Sequence, residues 1–124
     1  MTGRKEARRQ ALELLYQWDL TGQPLASLHE GDADSFAHEL AAAVVARAGE
    51  LDERISKTAD AWSAERLGVV ERNVLRIGLL ELERGEVPLE VAIDEAVTLA
   101  KRYASEDAAR LVNGILGRVA REAA

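Results

Sequence analysis

The sequence predicts an all-α fold, two small helical bundles packed as a single domain over residues 1–124. Three observations carry this. Ala, Leu, Glu and Arg dominate, and these residues favour helix. Apolar residues recur at three- and four-residue spacing, the period of one helix face, and nowhere alternate with period two for long enough to make a strand. The two prolines, Pro24 and Pro88, both fall between periodic segments. At 124 residues and 48% hydrophobic content the chain can hold a real core, burying roughly two-thirds of the surface of its unfolded state.

The first helix runs from about Arg4 to Leu20. Ala7, Ala11, Leu14, Leu15 and Trp18 form one stripe on its wheel, which is assigned to the core. Thr21-Gly22-Gln23-Pro24 ends it. Residues 25–34 are weakly patterned and hold at most one short helical turn. Asp34 to Ala48 reads as helix, with Asp34 or Ser35 as N-cap. Gly49 kinks or stops it, after which Leu51, Ile55 and Ala59 continue an apolar stripe toward Trp62. In "LGVVERNVLRIGLLELERG", Val70, Val74 and Ile77 lie on one stripe and Leu75, Leu79 and Leu82 on another. A helix apolar on two sides is expected between two layers. Gly85 follows its end and Pro88 forbids continuation. The next helix, about Leu89 to Ala104, carries Val91, Ala92, Ala96, Leu99 and Tyr103 at helical spacing. Ser105 caps the last helix, where Glu106 and Asp107 suit the dipole. Its apolar face is Leu111, Val112, Ile115, Leu116 and Val119.

Composition narrows the chemistry. Without cysteine there is neither disulfide nor thiolate zinc site, which fits a reducing cytoplasm. The longest purely apolar run, Leu40 to Ala46, is far short of the ~20 residues of a membrane span. Glu13 and Asp19 interrupt the apolar stretch after the basic start, so residues 1–20 read as mature protein rather than a signal peptide. Asp94 and Glu95 are adjacent, ~100° apart on a helix, and cannot flank one substrate; they read as a solvated face. The residues three before His29 and His38 are Ala26 and Ser35, so the Glu-x-x-His pattern of di-metal bundles is missing. No nucleophile elbow, P-loop or dinucleotide fingerprint occurs. The expectation is no enzyme, no metal and no cofactor. Asn113-Gly114 falls inside a helix; it is read as a close helix contact, with the Asn amide bonded to a neighbouring backbone.

One signal remains. The chain carries a formal net charge of −6, yet Arg4, Lys5, Arg8 and Arg9 give residues 1–9 a charge of +3 against −9 for the rest. These four lie on one side of the first helix, offset from the core stripe, and Leu12 and Tyr16 continue that side. Cations followed by an aromatic on one face suit a nucleic acid, holding phosphates while a ring stacks an unpaired base. The same residues also fit a solvated basic arm, with Tyr16 half-buried in the core.

Along nearly its whole length the chain resembles the NusB family of bacterial transcription antitermination factors. The matching pieces are "ARRQALELLYQWD", Asp52 and Ile55 ahead of Trp62, "VERNVLRIGLLEL", "VPLEVAIDEAVTLAKRY" and "LVNGILGRVA". The resemblance implies two three-helix bundles. It implies a partner, NusE, a small-subunit ribosomal protein that doubles as a transcription factor. It also implies that the pair binds the single-stranded boxA element of nascent ribosomal RNA within an RNA polymerase antitermination complex that reads through terminators. The family's basic N-terminal motif maps onto Arg4, Lys5, Arg8 and Arg9, its helix-1 tyrosine onto Tyr16, an aromatic near the end of the penultimate helix onto Tyr103 and an acid at the next helix start onto Asp107. The NusE-facing acids map onto Glu65 and Glu71, and the acidic body suits a basic ribosomal protein. Two departures stand out: Leu111 where some relatives have Phe, and Asp94 where Asn is usual. The basic cluster is also sparser than in some members, which implies low RNA affinity without NusE.

Two other roles fit the same residues. The fold also occurs as the RNA-binding N-terminal domain of a ribosomal RNA cytosine methyltransferase; the chain's end at Ala124, with no catalytic domain, argues against that role. A protein-interaction module that binds no RNA is the second.

Overall fold

A computed structural model describes residues 3–28, 35–59 and 67–123. Within them, α1 (Arg4–Thr21) ends at Gly22, whose φ of 72° is the left-handed conformation that glycine adopts without a Cβ clash. The single turn α2 (Leu25–Leu28) follows Pro24, whose carbonyl accepts a hydrogen bond from Ser27 Oγ at 2.8 Å. Then come α3 (Ser35–Ala46) and α4 (Ala48–Thr58). The break between them lies at Arg47, with φ −118° and ψ 15°, and not at Gly49, which sits inside α4. The Arg47 guanidinium pairs with Glu83 farther along the chain, which Arg54 Nη1 of α4 also reaches at 2.6 Å. Asp34, one of the two expected N-caps, and Trp62 lie outside the described residues.

The central element is α5 (Val69–Arg84). It ends at Gly85, again left-handed at φ 65°. Beyond Pro88 comes α6 (Leu89–Tyr103) and then α7 (Glu106–Ala123). Ser105 caps α7 as the sequence predicts, its Oγ accepting the Ala108 N–H at 3.0 Å. Helices α1, α3 and α5 pack on one another, as do α5, α6 and α7, while α4 lies against α5 and α7. Every residue of α5 from Asn73 to Glu81 is buried. The two apolar stripes of this helix thus serve two bundles, with one continuous core running through both.

Close packing occurs at Gly78. A Cβ there would lie 2.6 Å from Leu116 Cδ1 and 3.3 Å from the Ala96 Cβ, so the missing side chain lets α5 meet α6 and α7. The expectation for Asn113-Gly114 is overturned. Both residues are exposed, and a Cβ on Gly114 would meet nothing within 4 Å. The apolar stripe of α7 (Val112, Ile115, Leu116) faces the core, and the intervening pair is turned to solvent.

A polar network ties α1 and α4 to α5. Asp19 accepts hydrogen bonds from Arg72 Nε (2.9 Å), Asn73 Nδ2 (3.0 Å) and Arg76 Nη1 (3.1 Å). Arg76 also binds Asp52 through two bonds of 2.7 Å, and its guanidinium lies 5.5 Å from the Trp18 ring centroid. Asn73 is fully buried and satisfied, donating to the Val69 carbonyl at 2.9 Å and accepting from Arg76 at 2.9 Å.

Candidate nucleic-acid interface

The start of α1 carries the four cations, but the fold treats them differently. Of the expected stripe, Ala7, Ala11, Leu14 and Leu15 are buried, while Trp18 is only partly buried, packed against the core. The stripe's neighbour Arg8 is buried too, 3% exposed. The guanidinium forms a two-point pair with Glu81 of α5, Nε to Oε1 at 2.7 Å and Nη2 to Oε2 at 2.8 Å. Its third nitrogen lies 4.0 Å from Glu95 of α6. Those hydrogen bonds to Glu81 push the arginine's pKa up despite burial, and the cation stays paired. The expectation that Arg8 belongs to an exposed basic surface is therefore corrected: the side chain is spent inside the protein, on a carboxylate that would otherwise be buried alone.

The other three cations reach solvent, each beside an acid. Arg4 lies over the Phe36 ring, 4.7 Å from its centroid, with Glu86 at 3.8 Å. Lys5 is 3.6 Å from Glu95. Arg9 grips Glu6 through its Nε at 2.9 and 3.0 Å and reaches Glu13 at 3.3 Å. The hydrogen bonds between Arg9 and Glu6 hold the guanidinium's pKa up and the Glu6 carboxyl below its usual range.

Tyr16 and Tyr103 come together. They lie on different helices, α1 and α6, yet line one groove of about 450 Å³ with Arg9, Leu12, Glu13 and Val70. Both rings are partly exposed, 41% and 39%. Leu12 and Val70 supply apolar surface, so among the described residues the groove has aromatic and aliphatic walls joined by Arg9 and Glu13. Such a surface can take a planar ring by stacking while Arg9 meets a phosphate. Sequence periodicity puts Tyr16 and Arg9 on one side of α1; the pairing of Tyr16 with Tyr103, and the contribution of Val70, come from how α1 and α6 dock on α5.

Asp107 sits in the first turn of α7, exposed and paired with Arg110, and is not among the residues lining the groove. Glu71 occupies the first turn of α5, partly buried, with its carboxylate curled over Gly68. That position places negative charge at a helix N-terminus, where the dipole favours it. Glu65 lies outside the described residues.

The NusB family model matches residues 5–121. The transcription antitermination protein NusB of Solibacter usitatus (strain Ellin6076) is 37% identical over 133 aligned positions, covering 98% of this chain and 91% of its own. Among solved structures, a crystal structure of antitermination factors NusB and NusE in complex with dsRNA superposes at TM-score 0.84 with 35% identity, covering 96% of both chains. A chain in a crystal structure of a plectonemic RNA supercoil superposes at TM-score 0.87 with 35% identity, covering 99% of this chain and 97% of the other.

Proposed function

Because the chain belongs to the NusB family, we propose that it is a cytoplasmic transcription antitermination factor. It pairs with NusE, binds the single-stranded boxA element of nascent ribosomal RNA, and supports read-through by RNA polymerase. NusE pairing and RNA binding are supported by the similar structure in which NusB and NusE share a complex with dsRNA. The preference for a single strand rests on one observation: Tyr16 and Tyr103, from separate helices, flank one groove beside Arg9. Unstacked bases can use two ring faces in this way, whereas bases inside a duplex are already stacked. In this reading Arg4, Lys5 and Arg9 meet phosphates, and Asp107, exposed at the start of α7, adds an RNA contact outside the groove. Glu71 and Glu65 belong to the NusE-facing side. Every exposed cation of the α1 start has a carboxylate neighbour, which lowers the pull on RNA by the chain alone and gives NusE a role in raising affinity.

The test is a titration of boxA-type single-stranded RNA with and without NusE. The expected outcome is weak, salt-sensitive binding by the chain alone and much tighter binding by the pair. NusE binding with no RNA binding under either condition would leave a protein-interaction module instead.

A further inference from the structure

We infer that Arg8, Glu81 and Glu95 are positioning residues of the RNA face: they set the spacing of α1 and α6 across the tyrosine groove without touching RNA. The inference rests on the reading of that groove as an RNA site. The two walls of the groove both pack on α5, and α1 packs further on α3 and α6 on α7, with little direct contact between the walls themselves. Tyr16 and Arg9 belong to α1, and Tyr103 to α6. Something must hold these helices in register, and one buried guanidinium spans the gap. Arg8 leaves α1, takes both oxygens of Glu81 on α5 at 2.7 and 2.8 Å, and comes within 4.0 Å of Glu95 on α6. Glu95 in turn lies 3.6 Å from Lys5, one turn earlier on α1. A two-point Arg–carboxylate pair fixes direction as well as distance, which an apolar contact between smooth helices does not. Arg9, the next residue on α1, lines the groove directly. A small rotation of the α1 start would therefore carry Arg9 and Tyr16 away from Tyr103.

Charge alone and positioning give opposite signs for one substitution. Glu81→Gln removes a negative charge near the basic start of α1, so a purely electrostatic account predicts tighter RNA binding. The positioning account predicts weaker binding, because Arg8 loses its two-point anchor. It also predicts an unchanged salt slope, since no phosphate contact is lost. A true contact residue such as Arg9, changed to Ala, should flatten log K against log salt by ~0.7 for a single strand.

The experiment is a salt-dependent titration of boxA-type single-stranded RNA with the NusE pair formed. The chains compared are the parent, Glu81→Gln, Arg8→Lys, Arg9→Ala and Ile55→Val, the last a core change in α4, a helix that lends no described residue to the groove. Arg8→Lys keeps the buried positive charge beside Glu81 and loses only the fork, so it carries the test if Glu81→Gln does not fold. We expect about a five- to ten-fold loss of affinity for Glu81→Gln, a smaller loss for Arg8→Lys, and the parental slope in both. Ile55→Val should bind as the parent does, separating positioning from general destabilisation. Parental or tighter binding by both Glu81→Gln and Arg8→Lys, or a slope flattened by ~0.7 in Arg8→Lys, overturns the inference while leaving the RNA reading intact. No RNA binding by the parent overturns both.

Discussion

Arg76 and Asp52 meet in a two-point pair, with Nε and Nη2 of the arginine each 2.7 Å from a carboxylate oxygen. Arg76 is 5% exposed and belongs to the central helix, while Asp52 is on α4. The pair, shared with Asp19 of α1, joins three helices at one guanidinium. Its structural value is best measured by removal of one member. Breaking a buried pair costs about 3–5 kcal/mol, because the remaining charge is left without a partner. Asp52 is partly exposed and Arg76 keeps Asp19, so Asp52→Ala should cost less, ~2 kcal/mol. Urea unfolding followed by circular dichroism reads this directly; a midpoint equal to the parent's would mean that Asp19 alone suffices.

The same network predicts acid sensitivity. Burial pushes the Asp19 carboxyl up, but hydrogen bonds from Arg72 and Asn73 and the nearby charge of Arg76 outweigh it and hold the pKa below the usual range. At Glu83 burial is likewise outweighed, by bonds from Arg47 and Arg54. A carboxylate depressed in the folded state adds stability that is fully present above its unfolded pKa of ~4 and lost as pH falls through the folded value. Urea midpoints should therefore be flat from neutral pH to about pH 5 and drop below about pH 4. Asp19→Asn should start lower at neutral pH and lose less on acidification. An equal drop in parent and variant would remove Asp19 from this account.

Two glycines should respond to alanine with opposite sign. At Gly78 the new methyl meets Leu116 and Ala96 between packed helices. Overpacking costs about 1–3 kcal/mol, partly offset by the ~1 kcal/mol that Ala gains over Gly in a helix. Gly78→Ala should be net destabilising by ~1 kcal/mol. Gly114 is exposed with open space around it, so Gly114→Ala should stabilise by about 0.5–1 kcal/mol. Thermal melts of the two variants against the parent decide both.

Local signals read well in this chain because they are local in origin. The stripe Ala7, Ala11, Leu14, Leu15 is core, Gly22 and Gly85 are left-handed helix ends, and Ser105 caps α7. The double stripe of α5 correctly announces a helix buried on both sides. What periodicity cannot supply is the partner of a charge. Arg8 and Glu81 are 73 residues apart, and the α1 wheel gives only part of the answer: Arg8 falls about 20° from Leu15 at the edge of the core stripe while Arg9 points away from it, but the partner of Arg8 is not written there. A clue lies at the other end: Glu81 falls on the apolar stripe of Val70, Val74 and Ile77 in α5, so it needs a buried cation. Asn73 and Arg76 are the same kind of clue for the Asp19–Asp52 network. The Asn113-Gly114 reading goes astray for a related reason. A helical glycine signals close approach only when its face turns inward, and that face is set by Val112, Ile115 and Leu116.

Glu71 offers a test of the NusE-facing side. The carboxylate also sits in the first turn of α5, where reversal to Lys would cost about 0.3–1 kcal/mol through the helix dipole. Glu71→Gln is the cleaner change. It should slow association with NusE and lower the salt sensitivity of that association, with RNA binding by the chain alone unchanged. Stopped-flow association at two ionic strengths separates these effects; a parental rate would leave Glu71 as a helix-start residue only.

In the proposed role, Tyr16 and Tyr103 form one base-stacking groove with Arg9 beside it. The most direct measurement is the affinity of the NusE pair for boxA-type single-stranded RNA when both tyrosines are changed to alanine. Base–aromatic stacking contributes about 1–3 kcal/mol per base. Tyr16→Ala/Tyr103→Ala should therefore weaken binding by at least ten-fold while leaving the salt slope close to the parent's. Binding as tight as the parent's would mean that the two rings do not stack on RNA.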